Sequence, residues 1–335
     1  MQSKQQARNG RRVVAAVGTI AIAATLALIG SAGAARPVAA VVPAANGMIA
    51  FGRYDPALDD DRTWVMHSDG SNLHQLFPEF SSGGPHWSPD GTQVAVNSGL
   101  GGSCDTFCSG NTVIVTAATG AYRVITPAGP PAVGVFCTIW SPDATHFLCE
   151  GGNDNDASVN GVYTVRASDG GDLVRLTNAG GMRDLPIDFS PDGTKFVFSR
   201  SEGDNCGGKA ALYVANVDGT QVQRITPWGF CDNTGSWSPD GTRIAFVRND
   251  GFIFTVRPDG TALAKLALAT DSRSYAGDVA WSPDGSKIVF LLTVPTASHG
   301  YSSGIATANS DGTNVQFLTT TPTFDHDAAW GAGAR

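Results

Sequence analysis

The chain has 335 residues, with 22 Lys+Arg against 30 Asp+Glu and a formal net charge of −8. At 42% hydrophobic and 16% charged it is too apolar to stay disordered, and its acidity excludes a duplex-binding surface. Its 41 Gly and 18 Pro punctuate the sequence too often for long helices or a coiled coil and suit short strands joined by turns.

Residues 1–12 carry Lys4, Arg8, Arg11 and Arg12 and no acid, and Val13 to Ala35 is uncharged and apolar. A basic start, an apolar run and the small residues Ala32-Gly33-Ala34 describe a secretory signal peptide. The run is also long enough to span a bilayer, so an uncleaved anchor is the rival reading. Either way the remainder is expected outside the cytoplasm: secreted, periplasmic or at the cell surface. The expected division is residues 1–34 as signal or anchor, 35–46 as a short linker and 47–335 as the folded body. Without the first 34 residues the chain keeps 18 basic residues against the same 30 acids.

The body repeats. Trp-Ser-Pro-Asp-Gly begins at Trp87, Trp237 and Trp281, with variants at Trp140 (Ala144 in place of Gly) and Phe189, and a bare Trp330 near the end. A second signal interleaves: Asp-Gly at Asp69, Asp169, Asp218, Asp259 and Asp311, with Thr119-Gly120 in the sixth place, each followed by a short strand often ending in Leu-Thr or Ile-Thr. Pro pre-sets the turn, Asp tolerates the bridge region and Gly supplies the left-handed residue of a type I turn with a bulge. The alternation after it, as in Thr242-Arg243-Ile244-Ala245-Phe246-Val247, marks a half-buried strand. Each repeat therefore reads as strands A, B, C and D of an antiparallel sheet, with Ser-Pro-Asp-Gly between A and B and Asp-Gly between C and D. Such sheets bury both faces only when arranged radially, as the blades of a β-propeller. The first repeat starts at strand B (Met48 onward) and the last ends with strand A (Asp327–Trp330). The C-terminal strand is thus expected to complete the first blade and close an all-β, six-bladed ring.

These motifs resemble the TolB-like, or PD40, propeller repeat, a WD40-like family, and the resemblance covers residues 47–330. It implies the fold and leaves the function open. TolB proper carries a further α/β domain before its propeller and prolyl oligopeptidase relatives a hydrolase domain beside theirs; neither is expected here, where few residues flank the repeats.

The B–C and D–A loops share one face and hold the variable segments, where function usually resides. That face is acidic, with Asp55, Asp59, Asp60, Asp61, Glu150, Asp154, Asp156, Glu202 and Asp204 in its B–C loops. Just before the Trp/Phe positions lie Asp184, Asp232, Asp278, Asp325 and Asp327. On strands lining the channel they would repel one another unless solvated or bridged, so a cationic partner, Ca²⁺ or another divalent cation is one reading; turn caps and solvated charge are the other. Asp154 to Gly161 lacks the spacing of a calcium loop. Trp228, Phe230 and Tyr275 in D–A loops are candidate ligand contacts. His86 and His326, with Asp325 and Asp327, are weak metal candidates. Gly300-Tyr301-Ser302-Ser303-Gly304 matches a nucleophile-elbow string, but between strands it lacks the required strand-to-helix turn.

Six Cys suit an oxidising compartment, and topology pairs Cys104 with Cys108, Cys137 with Cys149 and Cys206 with Cys231. The expected protein is a monomeric, non-catalytic binding or scaffold propeller. It would engage a protein or a cell-envelope polymer through its acidic loop face, with no nucleic acid, no obligatory cofactor and membrane contact only through an uncleaved N-terminus. The alternative is a metal-dependent extracytoplasmic propeller enzyme acting on glycans.

Overall fold

A computed structural model describes residues 44–77, 82–98, 111–127, 133–153, 155–203, 209–248, 251–270, 274–296, 300–320 and 324–333. They form six four-stranded antiparallel sheets. Blade 1 takes its strand A from the C-terminus (Asp325–Ala332) and strands B (Asn46–Asp55), C (Asp60–Met66) and D (His74–Gln75) from the N-terminal end. Blades 2 to 6 follow in chain order, their strands A being Ser82–Trp87, Gly134–Trp140, Arg183–Phe189, Asp232–Trp237 and Tyr275–Trp281. Ring closure is as the repeat predicts: Trp330 lies opposite Ile49 and Ala332 opposite Asn46, and the Gly333 N–H donates to the Ala45 carbonyl at 2.6 Å.

Period-two alternation gives each sheet two apolar faces, and the cores lie between blades rather than within them. Ile139, Leu148 and Val162 of blade 3 meet Phe196 and Phe198 of blade 4; Val197 and Leu212 of blade 4 meet Trp237 and Phe246 of blade 5; Val289 and Ile305 of blade 6 meet Phe51 and Trp330 of blade 1.

The Ser-Pro-Asp-Gly turn is a self-capped unit. In blade 5 the Ser238 hydroxyl donates to Asp240 Oδ1 at 2.6 Å, that carboxylate accepts the N–H and hydroxyl of Thr242, and Ser238 Oγ accepts the Arg243 N–H. Burial alone would raise the Asp143, Asp192 and Asp240 carboxyls; these hydrogen bonds outweigh it and hold them below the usual range. The Ser, Asp and following Thr or Ser recur because each saturates the others, while Gly241 supplies a φ of +72°. Ala144 stands at φ +58° in the corresponding place. On the same hairpin, Cys137 and Cys149 face each other across strands A and B of blade 3 and form the expected disulfide. Cys231 is also disulfide-bonded. Cys104, Cys108 and Cys206, like the N-terminal segment, lie outside the described residues. Among the described residues no helix is long and apolar enough to cross a membrane.

Candidate functional site: the channel and its loop-face rim

Strand A of every blade lines a central cavity of about 500 Å³. Its wall includes His86, Glu150, Asp188, Asp278 and Asp327, and holds no Lys or Arg among the described residues.

The five aspartates singled out by sequence do not converge. Asp184, Asp232 and Asp325 each stand five residues before the Trp/Phe and are at most 1% exposed. Each is gripped by an arginine from strand B of its own blade. Arg248 Nε and Nη2 donate to Asp232 at 2.6 and 2.8 Å, Arg200 to Asp184 at 2.6 and 2.7 Å, and Arg53 to Asp325 at 2.6 and 3.0 Å. The hydroxyls of Thr177 and Thr319 donate to Asp184 and Asp325 at 2.6 Å, and these threonines accept the Val162 and Ile305 N–H. Aromatic faces cover the guanidinium groups: Phe230 and Phe254 lie 4.1 and 4.4 Å from Arg248. The Leu-Thr and Ile-Thr strings thus belong to a blade-to-blade staple. The arginines have a sequence signal too, for Asp184–Arg200 and Asp232–Arg248 share a separation of 16.

Asp278 and Asp327 sit two residues further along, on the bulge of strand A, at φ +46° and +53°. There the carboxylate of one blade caps the backbone of the next: the Asp327 N–H donates to Asp278 at 3.1 Å, and the Gly84 N–H donates to Asp327. Asp188 and Ser236 do the same one residue before the Trp/Phe position, accepting the N–H of Trp237 and Trp281 at 2.8 Å. Burial pushes the Asp188 carboxyl up to about 7, against the pull of backbone N–H donors. Burial followed by the charge of Asp327 raises Asp278.

His326 lies flat over Gly52, where a Cβ would stand 2.5 Å from the ring. Its Nδ1 meets Asp327 and its Nε2 meets Asp61, both at 3.0 Å. Burial would lower this imidazole, but the two carboxylates raise it to about 9, so it is a cation at neutral pH. Burial takes His86 the other way, to about 4, despite Asp327 nearby. Among the described residues no group of three or more His, Cys, Asp or Glu side chains is placed to hold a metal ion. A metal at His326 would have to displace a carboxylate from one of its ring nitrogens.

The rim is asymmetric. Leu58 (57% exposed) and Phe324 (53%) on blade 1, Tyr275 (42%) and Tyr301 (60%) on blade 6 and Phe230 (42%) before blade 5 are all at the loop-face end. Trp228 is half-buried and bridges Phe230. Sequence reasoning found Phe230 and Tyr275 but passed over Tyr301, which stood inside the elbow-like string; Ser302 there is a strand residue opposite Val294. The other large exposed apolar side chains among the described residues, such as Tyr122, Val124 and Val174, lie on the outer strands D or the turns leading to them.

The fold and channel define a six-bladed, ring-closed propeller whose central carboxylates act chiefly as inter-blade fasteners. Residues 113–333 match the TolB beta propeller domain, and the chain belongs to that family. Among solved structures, TolB from Acinetobacter baumannii superposes with a TM-score of 0.65 at 19% identity, covering 85% of this chain and 66% of its own length. This chain therefore spans less than two thirds of that protein. A putative TolB from Agrobacterium tumefaciens gives 0.59 at 17% identity, covering 84% and 98% of the two chains. An oligogalacturonate lyase from Vibrio parahaemolyticus gives 0.54 at 15%, covering 78% and 72%. At these identities the likeness speaks for the fold. None of the curated proteins matches the sequence.

Proposed function

We propose that the chain is an exported, non-catalytic binding propeller that engages a protein or a cell-envelope polymer through the loop face of blades 5, 6 and 1. The observation that carries this reading is the run of large exposed apolar side chains on three consecutive blades at one face. Exposed aromatic groups held on rigid strand ends are a liability unless something covers them. Asp55, Asp59 and Asp61 on blade 1 add carboxylates to the same rim, which suits a partner of neutral or positive character. Cys137, Cys149 and Cys231 are all disulfide-bonded, which supports an oxidising compartment reached through the N-terminal segment.

The test is affinity capture from the native host's envelope with the full chain and with a variant carrying Leu58→Ser, Tyr301→Ser and Phe324→Ser. Those side chains are more than half exposed, so the variant should melt at nearly the wild-type temperature while losing its envelope ligand. Capture that is indifferent to all three replacements would refute the proposed face.

A further inference from the structure

We infer that the tyrosine pair of blade 6 is a stacking platform for an uncharged glycan; this rests on the binding role proposed above and names its ligand class. Tyr275 opens strand A and Tyr301 opens strand C (Tyr301–Asn309), with strand B (Lys287–Pro295) between them. Tyr275 is opposite Thr293, Thr293 opposite Ser303 and Tyr301 opposite Pro295, so the side chains share one face of the sheet. The two rings lie 5.5 Å apart at 34°. Both remain largely exposed, although an inward turn of either would remove apolar surface from water. The backbone fixes Tyr275: the Ala276 N–H donates to the Gly251 carbonyl at 2.7 Å, and a Cβ on Gly251 would stand 2.4 Å from Tyr275 Cβ. Such pre-ordering removes the entropy loss that a mobile aromatic loop would suffer on binding.

The surroundings select the ligand. The hydroxyls of Thr293 and Ser303 meet at 2.9 Å on the platform face. Residues 274–277, 291–296 and 300–304 contain no charged side chain. A cationic peptide would look for carboxylates beside the rings, and among the described residues of blade 6 these stretches offer none. An acidic polysaccharide would meet a chain of net charge −8. A neutral sugar chain needs only what is present: flat aromatic faces for its C–H surfaces and hydroxyls for its edges.

Native electrophoresis of the full chain through gels containing hydroxyethyl cellulose, galactomannan or dextran tests this. At least one polymer should retard the protein, Tyr275→Ala and Tyr301→Ala should each weaken the effect about tenfold, and Tyr301→Phe should keep most of it because the ring remains. Raising sodium chloride from about 0.1 to about 1 M should change the retardation less than about twofold. Absence of retardation in all three gels, or retardation that survives both alanine variants, overturns the platform. If the tyrosines prove necessary for capturing a protein from the envelope while no polysaccharide retards the chain, the binding face stands and the glycan reading falls. If the alanine variants change neither readout, the platform falls; if the Leu58, Tyr301 and Phe324 variant also keeps its capture, the binding face falls with it.

Discussion

Asp232 shows why an aspartate near a channel mouth need not be a ligand site. Its carboxylate is fully buried, and Arg248 meets it with two parallel hydrogen bonds beneath an aromatic cover. Removing one partner leaves the other charge buried and alone, the costly outcome for such a pair. Asp232→Ala should therefore destabilise the fold by about 3–5 kcal/mol, read as a fall in the urea midpoint at unchanged slope. A shift of only a few tenths would mean that the pair is a surface contact. Asp188 makes the opposite prediction. Its folded-state carboxyl titrates near 7, above the value of an unfolded chain, so the native state holds the proton more firmly. Stability then falls as pH climbs from about 4 to about 7 and stays low above that. Asp188→Asn, which keeps an acceptor for the Trp237 N–H, should stabilise the protein at pH 8 by an amount on the order of 3 kcal/mol and change little at pH 4. Equal effects at both pH values would sink this account.

At the level of the element, the hairpin of blade 3 breaks its own rule. Ala144 occupies a left-handed conformation that the other Ser-Pro-Asp turns give to Gly, and the disulfide between Cys137 and Cys149 ties together the two strands that this turn joins. An L-residue there costs about 1–2 kcal/mol, partly offset by the smaller entropy of Ala in the unfolded chain. Ala144→Gly should raise stability by about 1 kcal/mol with the bridge intact, measured by thermal melting. A neutral or negative change would show that the turn has relaxed around Ala. The strands, the turns and this disulfide were legible because they are local: period-two alternation, turn chemistry and a twelve-residue separation carry them. The fates of the aspartates were not, because the difference between Asp232 and Asp278 lies in the partner. Position −5 from the tryptophan meets an arginine of strand B, and position −3 falls on a bulge that turns it toward the next blade. Spacing within one repeat does not reveal a bulge, since the extra residue shifts the face of everything before it. Tyr301 was missed for another reason: its exposure depends on how far strand C extends past its neighbours.

For the whole ring, stability is shared among interfaces, because each core belongs to two blades. Ala328 and Trp330 supply the part of the blade 6–blade 1 core that arrives last in the sequence. Ending the chain before Phe324 removes that part together with the whole ladder to Asn46–Asp55. The truncated protein should lose its cooperative melt and elute as aggregate in size-exclusion chromatography, and a peptide spanning residues 324–333 added in trans should recover part of the melt. A monomeric truncation with an unchanged melt would show that closure through this strand is dispensable.

Because Ala45 and Gly333 touch, the first and last strands of the ring meet at a single point on the circumference. A short bridge between them would make a seamless loop, which could then be cut at any of the Asp-Gly hairpins to give new termini. The sequence order of the blades is thus a matter of where translation starts rather than of how the ring holds together.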